Sequence, residues 1–145
     1  MKESDITLVK RSWRVFREMD PAVVGDAFYS KLFSGNQSLR KMFPRDMNQQ
    51  NQKLIVMINT IIARLDRLDE LDGEISAMAH RHVQYGVRPA HYKLVGNALL
   101  WTLKQGLGND WTLEVETAWT QCYTLLSTAM IKATKKAGHD IVVIR

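Results

Sequence analysis

His82 is the side chain around which chemistry is most readily built. In the stretch ISAMAHRHVQYGVRPAHY, the residues Ile75, Met78, Ala79 and His82 fall at i, i+3, i+4 and i+7, so a helix here carries an imidazole on its apolar stripe. Gly86 suits the left-handed turn that ends such a helix and Pro89 the first turn of the next, which sets His82 one turn from a tight corner. An inward imidazole beside a corner is either a core residue satisfied by backbone groups or a metal ligand. His80 and His82 point to different sides of a helix and make a poor two-ligand zinc site. The sequence has no glycine-rich phosphate loop after a strand, no paired-histidine zinc helix and no serine elbow.

The elements that must position His82 read as helices. Ile6, Val9, Trp13 and Phe16 form the stripe of a first helix over Asp5 to Arg17, with Ser4 as its expected N-cap. Asp20 followed by Pro21 is a cap-then-proline start, after which Val24, Phe28 and Leu32 repeat until Gly35, with Tyr29 beside the stripe. Gln37 to Phe43 has room for about two turns, and Pro44 disfavours helix at the residue before it, presenting Phe43 at a corner. A longer helix begins near Met47 and carries Leu54, Ile55, Ile58, Ile61, Ile62 and Leu65, with polar Gln50 and Lys53 just ahead of the stripe.

RLDRLDELDGE reads as a solvated connection with local ion pairs. After the His82 helix, Ala90 to Gln105 carries Val95, Leu99 and Leu103 and ends at the Gly106 to Gly108 loop. Thr112 then caps a last long helix with Val115, Trp119, Cys122, Tyr123, Leu126 and Met130, expected to end at Gly138. No strand pattern, repeat or linker interrupts this series. The expected architecture is an all-α domain of crossed helices over residues 1–138, followed by a tail at 139–145.

Composition narrows the setting. A chain of 145 residues suits one core, and Cys122, the single cysteine, excludes an intrachain disulfide, a four-cysteine cluster and a paired-cysteine haem attachment. No apolar run approaches membrane-spanning length and the charged start lacks a signal-peptide pattern, so a cytoplasmic protein that does not enter membranes is expected. The net charge of +5 permits binding to anionic partners. Lys10, Arg11, Arg14 and Arg17, and Lys132, Lys135 and Lys136, interleave with acidic residues and lack stacking aromatics, so a haem-free nucleic-acid-binding module ranks last.

One inward histidine, a tyrosine on an earlier helix, a corner phenylalanine and a glutamine before an apolar stripe, in this order, resemble the globin family. FYSKLF, LRKMF, QNQKL and HVQYGVRPAHYKLVGNALL carry the resemblance, which covers nearly the whole chain and is strongest toward single-domain bacterial globins related to the haemoglobin domain of flavohaemoglobins. It implies a globin fold, a three-on-three helical sandwich around one non-covalent haem b, with no separate small helix between Phe43 and Gln50. By that resemblance His82 is the proximal iron ligand, its other ring nitrogen given to a carbonyl or nearby group. Phe43 packs flat on the porphyrin, Tyr29 and Gln50 lie on the opposite, distal face, and Leu54 crowds the ligand position. Asn51 is the alternative to Gln50.

Met42, Val87, Tyr92, Val95 and Tyr123 match cavity positions, and Lys53 and Arg81 match charge partners of the propionates. A buried tyrosine hydroxyl favours a ligand that gathers negative charge, so oxygen is the expected gas, with carbon monoxide and nitric oxide also bound. Thr134 stands where relatives with strong electron push resemble one another in a carboxylate, which argues against an anionic partner for His82. The chain stops where flavohaemoglobins continue into a reductase domain, so nitric oxide dioxygenation, the alternative activity, is expected to need a separate reductase.

Overall fold

The computed structural model describes the backbone of residues 1–144 and the side chains of residues 1–135. The expected tail at 139–145 therefore lies outside the described side chains. Six helices carry the fold: α1 (Glu3–Arg17), α2 (Pro21–Gly35), α3 (Asn48–Ala63), α4 (Asp72–Gln84), α5 (Pro89–Leu107) and α6 (Leu113–Ile144). Among the described residues there is no strand.

Local chemistry explains most of the boundaries. The Asp20 carboxylate accepts the Ala22 N–H at 2.9 Å, and Pro21 fills the first helical position of α2, where its missing N–H costs nothing. Thr112 Oγ1 accepts the Val115 N–H at 3.2 Å at the start of α6. Between Phe43 and Asn48 the backbone is not helical, so α3 begins just two residues before Gln50.

Four expectations require correction. Helix α6 does not stop at Gly138 but continues to Ile144. Helix α1 starts at Glu3 with Lys2 before it and no side-chain cap, so Ser4 lies inside the helix rather than at its N-cap. The acidic-basic stretch after α3 is not merely solvated: it winds into 3-10 turns over Leu65–Leu71, with Leu65 and Leu71 buried as apolar anchors beneath exposed charges. Gly106 does not break α5 but lies within the helix; a Cβ there would stand 2.3 Å from the Phe16 ring, so its small size serves helix contact. The turn out of α5 is made instead by Gly108, at φ 54°.

Helix α2 packs against both α3 and α5, while α6 packs against α1, α4 and α5. The larger core runs through α1, α2, α3, α5 and α6. Its largest fully buried members are Trp13, Phe16 and Trp119. The rings of Trp13 and Phe16 stack at 5.5 Å, and both indole N–H groups are satisfied, Trp13 by Asn59 and Trp119 by Ser12. A second, smaller core joins Ile61 and Leu71 to Ile75, Met78 and Ala79 of α4 and Met130 of α6. That smaller core fixes the helix that carries His82.

Candidate functional site

The proximal side is made almost wholly by local structure. Ile75, Met78 and Ala79 bury the first turns of α4, but one turn later the stripe opens and His82 is half-buried, so the inward-facing histidine expected from periodicity sits at the mouth of the core. The backbone then folds around it. Gly86, at φ 94°, lets the Val87 N–H return to the His82 carbonyl at 2.9 Å, closing the helix end as a left-handed glycine turn does. The His82 Nδ1 lies 2.7 Å from the Met78 carbonyl. Since a carbonyl only accepts, Nδ1 carries the proton and Nε2 holds the lone pair a metal would take. Thr134 bonds back to carbonyls of its own helix, Met130 and Ile131, and among the described residues the partner of His82 Nδ1 is the neutral Met78 carbonyl.

The opposite side is made by contacts between distant segments. Tyr29, on α2, is buried and is reached by Gln50 at the start of α3, whose Nε2 donates to the phenol oxygen at 3.1 Å. The bond uses a lone pair of the hydroxyl and leaves its proton to be given elsewhere. Burial pushes the Tyr29 pKa up to about 12 and the bond from Gln50 offsets only part of that, so the phenol stays neutral and a donor at any physiological pH. Asn51 points elsewhere: its Nδ2 donates to Asp26 at 2.9 Å. Of the two residues weighed from sequence, Gln50 is the one that meets Tyr29.

Phe43 completes an aromatic group with Tyr29 and Phe33, each ring centroid 5.3 Å from its own. The corner that presents it is clamped by Arg40, whose guanidinium donates to the carbonyls of Phe43, Pro44 and Arg45 and lies 5.5 Å over the Phe33 ring. Sequence reading missed this role of Arg40. The signal available was an arginine, the first of two cations between Leu39 and Met42, four residues before a proline. Met42 reaches toward Gly86, so the phenylalanine corner and the histidine corner approach one another.

Leu54, Val95 and Tyr123 line one apolar cavity of about 60 Å³ together with Phe28, Ile58, Leu99, Trp119 and Cys122. The latter five were legible only as core stripes. Tyr123 donates to the Tyr92 carbonyl at 2.5 Å, and burial raises its pKa, as it does that of Tyr92. Val87 and Tyr92 are half-buried, while Lys53 and Arg81 are exposed, where a long cation can reach a charged edge at little desolvation cost. Among the described residues no group of three or more His, Cys, Asp or Glu side chains could hold a metal, and no helix is long and apolar enough to cross a membrane. A metal at His82 therefore needs further ligands from outside the side chains, as a porphyrin supplies.

Comparisons with known proteins place the fold in a family. Residues 26–130 match the family model described as Globin. The chain is 28% identical over 134 residues to a flavohemoprotein of Vibrio cholerae, covering 90% of this chain and 34% of that protein. It is 31% identical over 136 residues to an uncharacterized globin-like protein of Aquifex aeolicus, covering 94% and 96% of the two chains. The chain thus spans about a third of the flavohemoproteins it resembles and nearly all of the globin-like protein. Among solved structures, an engineered carbene transferase from Rhodothermus marinus, its parent named as a candidate nitric oxide dioxygenase, superposes with a TM-score of 0.83 at 25% identity, covering 100% of this chain and 99% of that one. A bacterial globin from Campylobacter jejuni gives the same TM-score of 0.83 at 20% identity, covering 95% and 99%, and supports the fold alone. The six helices have the globin fold, and the chain belongs to the globin family.

Proposed function

We propose that this globin holds a b-type haem without covalent attachment, through Nε2 of His82, and reversibly binds oxygen on the face occupied by Tyr29 and Gln50. The observation that carries the reading is the state of His82: a half-buried imidazole at the mouth of an apolar core, with its proton directed to the Met78 carbonyl and its lone pair free for a metal. The haem supplies ferrous iron, to which a diatomic gas coordinates. The residues of the chain do the rest.

Met78 fixes the imidazole ring through a neutral carbonyl, which orients it without the strong electron push that an anionic partner gives. Phe43 offers a flat face for the porphyrin, and Lys53 and Arg81 are exposed cations for its propionates. Tyr29 directs its proton toward a ligand that gathers negative charge, and Gln50 holds the phenol oxygen in place. Leu54 and the apolar cavity behind it keep water from competing for that proton. Oxygen is thereby favoured over carbon monoxide and released slowly, with nitric oxide as a further ligand. Because a glutamine amide is a poor iron ligand, Gln50 would not compete with gas or water for a bound iron. A cytoplasmic location fits a single cysteine, Cys122, that is buried and free.

Nitric oxide dioxygenation is the second reading, favoured by the flavohemoprotein relatives, of which this chain matches about a third. Electrons for turnover would then come from a reductase. Absorption spectra of the ferric, reduced, oxygenated and carbon monoxide forms test the first reading: a five-coordinate ferrous form and a persistent oxygen complex are expected. A purified protein that takes up no haem, or a low-spin ferrous form without added ligand, contradicts it. Sustained consumption of nitric oxide over many turnovers with an added reductase favours the second reading; a single stoichiometric reaction favours the first.

A further inference from the structure

Resting on the distal reading above, we propose that Asn51 is the positioning residue of the distal pair: seated on the bare backbone of Gly25 and tied to Asp26, it sets the distance between α2 and α3 and so where Gln50 meets Tyr29. Asn51 is 2% exposed, an unusual depth for an amide in the first turn of a helix. Its Nδ2 donates to Asp26 Oδ1 at 2.9 Å, and because a carboxylate only accepts, this bond fixes which end of the amide is which. Oδ1 is left buried with no hydrogen-bond partner among the described residues. A polar atom kept dry and unpaired opposes folding, so the placement has to be imposed by its surroundings.

Gly25 imposes it. A Cβ built on Gly25 would stand 2.3 Å from Asn51 Oδ1, 2.4 Å from Cγ and 2.6 Å from Cβ. Only a hydrogen fits between the two helices at this crossing. Gly25 precedes Tyr29 by four residues, one turn along the same face of α2, and Asn51 directly follows Gln50. The spacing at the crossing is thus passed to the 3.1 Å bond between Gln50 and Tyr29 one turn away.

The test uses the haem-loaded protein with Tyr29→Phe as the scale. Carbon atoms in contact need about 3.5–4 Å, so Gly25→Ala forces the helices apart by about 1 Å. A bond stretched that far is no longer a hydrogen bond. In Gly25→Ala a crystal structure is expected to show Gln50 Nε2 and Tyr29 Oη beyond 3.5 Å. The carbon monoxide stretching frequency should move toward that of Tyr29→Phe, and oxygen should leave about tenfold faster, the effect of one lost hydrogen bond. The exchanged pair Gly25→Ala with Asn51→Gly moves the bulk to the other helix and is expected to restore the distance, the frequency and, within about threefold, the rate. Asn51→Ala removes the amide without a clash and serves if Gly25→Ala does not fold; oxygen release a few-fold faster is expected. Wild-type readouts in Asn51→Ala and in any folded Gly25→Ala, or an exchanged pair as perturbed as the single variants, overturn the positioning role while Tyr29→Phe still upholds the distal reading. An oxygen rate unchanged in Tyr29→Phe overturns the distal reading itself.

Discussion

The two sides of the site are built by different means. On the His82 side, every contact that orients the functional atom lies within five residues: the Met78 carbonyl one turn back, and the Val87 N–H that returns to His82 around Gly86. On the Tyr29 side, the deciding bonds join residues 21 and 25 positions apart, Gln50 to Tyr29 and Asn51 to Asp26. A ligand atom can be aimed by one helix end. A hydrogen-bond donor aimed at a gas molecule needs two helices held at a fixed distance. The histidine side should therefore tolerate changes elsewhere in the fold, and the tyrosine side should not.

Core truncation gives the largest expected effect that separates the sides. Ile58 belongs to the larger core and lines the cavity beneath the tyrosine side, so Ile58→Ala should destabilise the protein by about 2–5 kcal/mol in chemical denaturation. It should also loosen the Gln50–Tyr29 bond, visible as a shifted carbon monoxide stretch. Ile75→Ala, in the smaller core under His82, should cost a similar amount and leave that frequency in place. Equal shifts in both variants would erase the proposed distinction.

Next in size is the hydroxyl itself. Tyr29→Phe should speed oxygen release by about tenfold to a hundredfold, as expected for loss of a hydrogen bond worth roughly 1.5–3 kcal/mol to a charged acceptor. Stopped-flow displacement of oxygen by carbon monoxide measures it, and carbon monoxide release itself should change far less.

The last effect is confined to alkaline pH and is absent at neutrality. Burial raises the pKa of Tyr29 from 10.0, and that of the Cys122 thiol from 9.0, to about 12 in each case. Both groups are neutral when protonated, so the unfolded chain loses these protons first and binds fewer than the native state as pH rises. Their contribution to stability is whole below about pH 9 and declines between about 9 and 12, Cys122 first and Tyr29 after it. Denaturation midpoints should be flat through neutral pH and fall in that window, and Cys122→Ala should remove the earlier part of the fall.

The same contrast explains what could be read from the sequence. Periodicity and the Gly86 and Pro89 signals located the α4 end and His82, because i, i+4 geometry is local. They did not foresee that His82 is only half-buried, since its depth depends on where α6 and the smaller core end. Gln50 was preferred to the adjacent Asn51 only by resemblance, because neighbouring amides look alike in a residue pattern: the approach of α2, with Gly25 opposite Asn51, sends one to Tyr29 and the other to Asp26. Arg40 was passed over because its partners are backbone carbonyls, which no residue pattern displays. Leu65 and Leu71 were hidden among charges for a related reason: in short 3-10 turns the apolar spacing is too irregular to stand out.

The most direct test of the account replaces the imidazole and then gives it back. His82→Gly should abolish the five-coordinate, histidine-ligated ferrous spectrum, and free imidazole added to the variant should restore it, because the space beside the Met78 carbonyl still receives a ring donating to that oxygen. A spectrum in His82→Gly identical to wild type before imidazole is added would contradict the assignment of His82 as the iron ligand.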